Sequence, residues 1–264
     1  KKKKIQQIEG NLLDSKKIIK ETKDIDIAFH YAAAPSVKKS SEEPIYNFKQ
    51  NVRGTMNVLE AARKNDISQI IFASTSTVYG KAEKIPTPES EPLKPISNYG
   101  ASKTACEMYL RSYSETYGIQ SIALRYANIF GPRSDHGVMY DFHHKLKENP
   151  EKLTILGNGK QEKSYLYIED CIDATLTSLK TEKNFDAFNI GSEEQITVNE
   201  IADIISEEMN LNPEYEYTGG EKGWKGDVTK MLLSIDKIKS LGWKPKTSTK
   251  EGIKKYIQWL KKFD

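Results

Sequence analysis

Hydrophobic and polar positions follow two different periods in the first half of the chain. Residues 25–31 and 69–74 are short runs rich in β-branched and aromatic side chains, which predicts strands. Between them, residues 51–64 place Val52 and Met56 on one side of a helix. The succession of strand, helix and strand indicates a parallel β–α–β unit.

The pattern continues through a longer helix. A proline-rich loop leads into residues 97–117, a helical stretch that ends at Gly118. Residues 122–126 predict another strand, which Gly131 and Pro132 close. This rhythm predicts an α/β fold with a doubly wound parallel sheet and right-handed crossovers.

The second half mixes helices and short strands less regularly. Thr197 and Glu200 have the spacing of a capping box, which predicts an amphipathic helix with Ile201 facing inward. Shorter helices are predicted around residues 234–241 and 250–262. Neither a repeat nor a low-complexity linker separates the halves, so we expect two interlocked subdomains without a flexible hinge.

Composition narrows the function classes. Of the 264 residues 37% are hydrophobic, and the mean hydropathy of −0.64 is that of a folded, polar chain. No apolar run approaches the roughly 20 residues that a bilayer span needs, and the initial lysines are not followed by the apolar stretch of a signal peptide. We therefore expect neither a membrane-embedded nor a secreted protein.

Charge and cysteine usage exclude further classes. The chain has 40 basic and 37 acidic residues, a net charge of +3, and few of the basic residues are arginine. Nucleic-acid readers use a strong positive field and arginine forks, so this balance argues against nucleic acid as a partner. Cys106 and Cys171 belong to no CxxC motif or Cys/His cluster, which argues against a zinc site or a disulfide framework. A cytoplasmic location fits best.

Tyr99 and Lys103 stand four residues apart near the start of the long predicted helix, so their side chains share one face. A fixed ammonium group near a phenol favours the phenolate and lowers the phenol pKa toward neutral pH, as a general base requires. A chain with 14 tyrosines and many lysines also contains such pairs by chance. Spacing alone leaves both interpretations open.

Thr75 follows the apolar strand at 69–74 and opens a run of hydroxyl residues. Such side chains would project from the carboxyl edge of a parallel sheet, where ligands of open α/β sheets bind. A hydroxyl there can relay a proton or orient a substrate oxygen. The alternative is a Ser/Thr-rich turn that satisfies its own backbone.

Several short motifs occur in order along the chain. They are Phe29-His-Tyr-Ala-Ala-Ala, Asn51-Val-Arg-Gly-Thr55, Ser74-Thr75 through Val78-Tyr-Gly80, Tyr99-x-x-x-Lys103, Leu124-Arg-Tyr-Ala-Asn-Ile-Phe-Gly-Pro132 and Leu241-Gly-Trp-Lys-Pro245. In these motifs the chain, from about Gly10 onward, resembles the extended short-chain dehydrogenase/reductases, specifically the NAD-dependent epimerase/dehydratase family and its UDP-glucose 4-epimerases.

The resemblance implies a Rossmann-like α/β fold with a smaller α/β substrate subdomain. It assigns residues 1–133 and 165–192 to NAD binding, and residues 134–164 and 193–264 to the nucleotide sugar. It further implies NAD as cofactor, a UDP-sugar as substrate, no metal, and a homodimer.

Carried over to this chain, the resemblance also implies the site residues. The catalytic set is Thr75, Tyr99 and Lys103. The cofactor-binding set is Asn11, Leu12, Tyr31, Ala32, Ala33, Asn51, Ser74, Tyr99, Lys103 and Tyr126. The substrate-binding set is Thr75, Asn128, Val138 and Lys163. His30 is interpreted as a packed strand-end histidine rather than a catalytic one.

Some positions depart from the family pattern. Asn11 stands where Asp is more common, and Lys163 stands where the family usually has Arg, so the charge is kept but the bidentate fork is lost. Ser164 replaces an Asp, and Trp224 occupies a position where many members have Arg. These departures leave the exact nucleotide open.

The glycine-rich pyrophosphate turn of the family, GxxGxxG after a first strand, does not precede these motifs. Gly220, Gly223 and Gly226 match its spacing, but no amphipathic helix is predicted there, so we interpret the match as accidental. We expect residues 1–264 on their own to bind NAD poorly, to lack epimerase activity and to be marginally stable or insoluble, because that turn supplies the backbone donors for the pyrophosphate.

Three functional hypotheses remain. A nucleotide-sugar 4-epimerase, acting through a transient 4-keto sugar, is favoured because Ser76, Thr77 and Val78 follow Thr75. Dehydratases of the family have Asp-Glu at that point, and decarboxylases usually have a Glu nearby. The third hypothesis is an inactive family member without its cofactor site.

Overall fold

The computed structural model describes residues 5–220 and 230–263. The helices are α1 Ser15–Glu21, α2 Val37–Glu42, α3 Pro44–Phe48, α4 Gly54–Lys64, α5 Asn98–Tyr117, α6 Val138–Glu148, α7 Ile168–Ser178, α8 Val198–Met209, α9 Asp236–Lys239 and α10 Thr249–Phe263. The strands are β1 Ile27–His30, β2 Gln69–Thr75, β3 Gln120–Tyr126, β4 Asn128–Phe130, β5 Lys152–Ile155, β6 Glu162–Lys163, β7 Tyr165–Tyr167, β8 Phe185–Ile190, β9 Ile196–Thr197, β10 Glu214–Tyr217 and β11 Lys230–Met231.

The largest described sheet has the strand order β1-β2-β3-β8. β1 runs parallel to β2, with Ile27 opposite Gln69 and His30 opposite Phe72. The inner strands are apolar on both faces, as in a sheet covered by helices on each side, and residues such as Ile70 are fully buried. The predicted α/β fold with parallel strands is therefore confirmed.

The long predicted helix forms as α5. Its N-cap, Ser97, accepts a hydrogen bond from the Gly100 amide, and the helix ends at Gly118, whose φ of 70° suits glycine. Gly100 is required for packing, because a Cβ there would lie 2.7 Å from the Thr77 carbonyl oxygen. The first turn of α5 consequently lies directly against the turn that follows β2.

The chain divides into two compact units. Unit 1 comprises Lys1–Gly80, Leu93–Arg125 and Thr181–Ala187. Its core packs α4, α5 and the sheet strands around residues such as Leu59, Phe72 and Leu110.

Unit 2 comprises Lys81–Pro92, Tyr126–Lys180 and Phe188–Asp264. Its core packs α6, α8 and α10 around β5 and β7. The predicted capping box of Thr197 and Glu200 is present, and Ile201 is buried as expected. The predicted division by ligand, 1–133 with 165–192 against 134–164 with 193–264, is drawn at different boundaries and stays a prediction.

The described residues contain neither a membrane-spanning helix nor a cluster of metal-ligating side chains. Over 5–220 and 230–263, no helix is both long and apolar enough to cross a bilayer. Over the same residues, no group of three or more histidine, cysteine or acidic side chains is arranged to hold a metal ion.

Candidate active site

Tyr99 and Lys103 occupy successive turns at the start of α5, as predicted. The Tyr99 amide donates to the Ser40 hydroxyl at 3.1 Å, which ties the helix start to α2. Lys103 is buried, and its ammonium group donates to the Ala73 carbonyl oxygen at 2.7 Å. The same ammonium group lies 4.5 Å from the centre of the Phe72 ring and 6.0 Å from that of Tyr99.

Thr75 ends β2 beside this pair. Its hydroxyl oxygen accepts a hydrogen bond from the Thr77 amide at 3.2 Å, so it caps the 3₁₀ turn Ser76–Tyr79. The hydroxyl also lies within reach of the Tyr99 phenol and lowers its pKa. The structure thus brings Thr75, Tyr99 and Lys103 together, and the local-turn interpretation of Thr75 holds at the same time.

Burial governs the protonation of this cluster. It raises the pKa of the Tyr99 phenol to about 12, against the lowering effect of the Thr75 hydrogen bond. Burial also lowers the pKa of Lys103 to about 8, although nearby Cys106 and Glu107 favour the ammonium form. The sequence predicted a phenol pKa lowered by the cation. In the protein alone the phenol pKa is raised instead, because the phenol has lost its solvation.

The segment after β1 carries the next group of predicted cofactor residues. Tyr31 is half-exposed, Ala32 is exposed and Ala33 is partly buried. Ala34, the next residue of this segment, is held by the buried Asn51. The Asn51 side-chain oxygen accepts from the Ala34 amide at 2.7 Å, and its side-chain nitrogen donates to the Ala34 carbonyl. The small side chains of Ala32 and Ala33 leave space at the carboxyl edge of the sheet, where open α/β sheets bind dinucleotides.

Asn51 lies in a π-helical turn, Lys49–Arg53, directly before α4. Its side-chain nitrogen also donates to the Ser102 hydroxyl of α5 at 2.9 Å. The sequence predicted a regular helix here. The additional residue per turn places Asn51 between the Ala34 backbone and α5, and such turns often occur at functional sites.

Asn11 and Leu12 lie in the loop that precedes α1. The Asn11 side-chain oxygen accepts from the Leu13 amide at 2.9 Å, and the Leu12 carbonyl accepts from Asn57 at 2.7 Å. Leu12 also packs against Gly54 at the start of α4. The loop is therefore anchored to α4, and both residues belong to unit 1 with Tyr99.

His30 is buried at the end of β1, and its Nε2 lies 2.9 Å from the Thr55 hydroxyl. Burial, with a smaller effect of the Lys103 charge, lowers the pKa of His30 to about 4. A neutral, packed imidazole agrees with the interpretation of His30 as a structural residue.

Sequence reasoning missed a polar cluster next to Thr75. The Ser74 hydroxyl donates to the Glu107 carboxylate, which also pairs with Arg125, and Arg125 donates to the Tyr79 hydroxyl. Ser74 was predicted to contact the cofactor, whereas the bond seen here joins it to α5. The sequence contained two signals for this cluster. Glu107 stands four residues after Lys103, as Lys103 does after Tyr99, and Arg125 is a charged residue inside an apolar strand.

Unit 2 contains a cavity of about 530 Å³ that brings together three predicted substrate residues, Asn128, Val138 and Lys163. The Asn128 side-chain nitrogen donates to the Ser164 carbonyl at 3.0 Å, which fixes the side chain beside β7. Val138 is the first residue of α6. Gln161 also lines the cavity, and its buried side-chain oxygen has no hydrogen-bond partner in the part of the chain described.

Two other residues of unit 2 have different partners. The Tyr126 hydroxyl, predicted near the cofactor, lies 3.0 Å from the Thr175 hydroxyl of α7. Ser164, which replaces the acidic residue of the family pattern, is fully buried and donates to the Ser192 carbonyl at 3.0 Å. A small hydroxyl at this position thus serves the packing of unit 2.

The region of the accidental glycine match is described only at its first residue. Gly220 is exposed with a φ of 83°. Gly223, Trp224 and Gly226 lie outside the described residues.

Comparison with known proteins gives a consistent result. The NAD dependent epimerase/dehydratase family matches residues 1–191. A putative UDP-glucose 4-epimerase of Methanocaldococcus jannaschii is 38% identical over 244 residues, 90% of this chain and 78% of the relative. The human dTDP-D-glucose 4,6-dehydratase is 32% identical over 264 residues, 96% of this chain and 74% of the relative.

A solved structure agrees with these relatives. The UDP-glucose 4-epimerase of Thermotoga maritima, solved with UDP-glucose, superposes with a TM-score of 0.90 at 34% identity, over 97% of this chain and 84% of the other. Epimerases and a dehydratase are thus both similar to this chain.

Proposed function

Because the chain belongs to the NAD-dependent epimerase/dehydratase family, we propose that it is a nucleotide-sugar 4-epimerase that interconverts UDP-glucose and UDP-galactose. One observation carries the choice within the family. The turn Ser76–Tyr79, which follows Thr75, contains no carboxylate side chain.

Each residue of the unit 1 cluster has a role in this proposal. Tyr99 removes the proton from the sugar C4 hydroxyl, and Thr75 orients that oxygen through its own hydroxyl. Lys103, held by the Ala73 carbonyl, supplies the positive charge that favours the phenolate. NAD, the family cofactor, would supply the hydride chemistry at C4, and the residues of this chain would position it and hold the proton.

Most of the residues that would hold NAD lie in the anchored segments of unit 1. Ala32, Ala33 and Asn51 would line its groove, with Asn11 and Leu12 at the adenine end. We assign Tyr126 to the nicotinamide side on the family resemblance. Because NAD is regenerated in each turnover, epimerisation consumes no cofactor.

The cavity of unit 2 has chemistry suited to the nucleotide diphosphate. Lys163 supplies a cation and Asn128 an amide group, the two kinds of group that bind phosphate oxygens. We assign Val138 to an apolar contact with the same ligand. Lysine acts as a point charge without the arginine fork, so this cavity binds phosphate with less directional selectivity.

A 4,6-dehydratase is the second candidate, favoured by the similarity to the human enzyme. That reaction must also expel the C6 hydroxyl, which calls for a further acid and base near the sugar. Here the Thr77 hydroxyl lies 3.2 Å from the Thr75 hydroxyl, in the turn where the dehydratases carry acidic residues. An aliphatic hydroxyl is a poor acid or base for that step, which supports the epimerase.

We also propose that the enzyme is a cytoplasmic homodimer. Cys106 and Cys171 are both buried, free thiols, which suits a reducing compartment. Exposed apolar side chains on α5, Met108 and Tyr109, offer a surface for a second copy.

The deciding experiment incubates the full-length protein that carries this sequence with NAD and one substrate at a time, either UDP-galactose or dTDP-glucose. Epimerisation yields an isomer of unchanged mass that NMR identifies as UDP-glucose. Dehydration yields a product lighter by one water. Formation of the lighter product, or no product from UDP-galactose, contradicts the proposal.

A further inference from the structure

An ion pair is buried in unit 1 between α5 and β3. The Glu107 side chain is fully buried and that of Arg125 is 6% exposed. Arg125 Nη2 donates to Glu107 Oε2 at 2.7 Å, and Arg125 Nε donates to Oε1 at 3.1 Å. This fork geometry is the strongest form of the arginine–carboxylate contact.

Each partner of the pair also holds a neighbour of Thr75 in the chain. The Ser74 hydroxyl, one residue before Thr75, donates to Glu107 Oε1. The Tyr79 hydroxyl accepts from Arg125 Nη1 at 2.9 Å, and Tyr79 ends the 3₁₀ turn that Thr75 caps. The ion pair thus fixes the chain on both sides of Thr75.

The helix α5 carries both Glu107 and Tyr99, the proposed reaction partner of Thr75. Tyr99, Lys103 and Glu107 follow at intervals of four residues, so they lie along one face of α5. Tyr99 contacts the Thr75 hydroxyl directly, and Glu107 reaches the same strand end through Ser74. The helix α5 therefore determines the positions of both the Thr75 and the Tyr99 side chains.

Fold stability alone does not account for this arrangement. Transfer of two charges into a protein interior is costly, and well-packed apolar residues of similar volume commonly give equal or greater stability. Hydrophobic side chains could fill the space between α5 and β3, but they could not hold the Ser74 and Tyr79 hydroxyls.

We propose that Glu107 and Arg125 are positioning residues, which hold the Thr75 hydroxyl in place for the reaction with Tyr99. This inference rests on the proposed function of the Thr75–Tyr99 pair and extends it to two residues that act through Ser74 and Tyr79. Displacement of reacting groups by about 1 Å can cost on the order of a hundredfold in rate, so the effect falls on kcat rather than on substrate affinity.

Two double variants of the full-length, NAD-loaded enzyme test the proposal. Ser74→Ala/Tyr79→Phe removes the hydroxyls that join the ion pair to the Thr75 segment and leaves the pair itself. Glu107→Leu/Arg125→Met removes both charges together, so that neither remains buried alone. We expect both to lower kcat by about tenfold to a hundredfold, with KM for the UDP-sugar within about twofold of wild type.

Two further comparisons distinguish loss of positioning from a general loss of structure: the combination of the two double variants, and the partial recovery of kcat by a conservative substitution. Because both double variants break the same path, the quadruple variant should lose little more than either one. Arg125→Lys should recover part of the kcat that Arg125→Met loses. Thr181→Val is the matched control, because it removes a buried hydrogen bond to Asp186 in the same unit and should leave kcat unchanged.

Crystal structures of Ser74→Ala/Tyr79→Phe and wild type give a readout that needs no turnover. We expect the distance between the Thr75 and Tyr99 side-chain oxygens to increase in the variant. A folded variant with wild-type kcat, or with that distance unchanged, overturns the proposal. If wild-type enzyme does not epimerise UDP-galactose, the proposed function fails, and the crystal structures still decide the positioning. If Glu107→Leu/Arg125→Met does not fold, the other pair decides it.

Discussion

Tyr99 has an environment that, in the protein alone, holds the phenol protonated. Burial raises its pKa to about 12, and burial lowers the pKa of Lys103 to about 8. The desolvated site thus makes the phenolate costly and at the same time weakens the cation that would support it. The nearby Thr75 hydroxyl lowers the pKa of Tyr99, which gives this hydroxyl an electrostatic role as well as an orienting one.

Tyr99→Phe should lower kcat for UDP-galactose by at least about a hundredfold, the scale of a lost general base. The fold should persist, because phenylalanine keeps the ring. Tyr109→Phe, at an exposed position of the same helix, is the control and should keep normal turnover. Turnover is measured together with thermal melting, and a folded Tyr99→Phe enzyme with near-normal kcat would refute the assignment.

His30 predicts a dependence of stability on pH. Its pKa is about 4 in the folded chain and near 6.5 when exposed, so the unfolded chain takes up a proton first as the pH falls. Folding stability should therefore decrease between pH 6.5 and 4, by at most about 3 kcal/mol from this residue. The free energy of unfolding in urea, measured across that range, gives the slope.

His30→Gln should flatten this part of the pH profile, because the group that takes up the proton is removed. Ser112→Ala is the control, because it changes an exposed residue without removing a titratable group and should leave the slope unchanged. Equal slopes in wild type and His30→Gln would contradict the prediction.

At the scale of the element, α5 depends on close approach to the turn after β2. In Gly100→Ala the new Cβ would lie 2.7 Å from the Thr77 carbonyl oxygen, so helix and turn must separate. We expect a loss of about 1–3 kcal/mol in unfolding free energy despite the better helix propensity of alanine, and a fall in kcat. Ser112→Ala, on the exposed side of α5, should be neutral or slightly stabilising. A more stable Gly100→Ala enzyme would show that the contact is unimportant.

The short strand β6 carries Lys163 to the wall of the unit 2 cavity. Lys163→Ala should raise KM for the UDP-sugar about tenfold and change kcat by less than about twofold, because a charged phosphate contact is lost equally in ground and transition states. Calorimetry with UDP should show the same loss of affinity. Lys160→Ala, in the neighbouring exposed turn, serves as control, and unchanged UDP affinity in Lys163→Ala would rule out the assignment.

Local sequence patterns predicted those elements whose ends and faces are determined by residues close in the chain. The Ser97 cap and Gly118 set the ends of α5, and four-residue spacing placed Tyr99 above Lys103. The partnership of Glu107 with Arg125 joins residues 18 apart on a helix and a strand, and periodicity carries no information on which polar groups meet across a core. The π-helical turn at Asn51 escaped prediction for the same reason, since contacts to Ala34 and Ser102 stabilise it.

At the scale of the whole molecule, the two units differ in what they offer a ligand. Unit 1 holds the Thr75, Tyr99 and Lys103 cluster and the anchored segments assigned to NAD. Unit 2 holds the cavity with Asn128 and Lys163. The reacting groups are thus assigned to unit 1 and the diphosphate contacts to unit 2, whereas Tyr126, assigned to the nicotinamide, belongs to unit 2.

α5 also has a face that the described chain leaves uncovered. Cys106 and Leu110 are buried toward the core, whereas Met108 and Tyr109 are 46% and 44% exposed. Paired apolar surface of this kind on a rigid helix suits association between two copies, in which the same patch meets itself. We expect the full-length protein to be a dimer by light scattering, and Met108→Glu/Tyr109→Glu to shift it to the monomer, because four carboxylates would then meet at the interface. Lys20→Glu, whose side chain is 79% exposed on α1, should leave the dimer intact. A monomeric wild type, or a Met108→Glu/Tyr109→Glu variant that remains dimeric, would place the association elsewhere or exclude it.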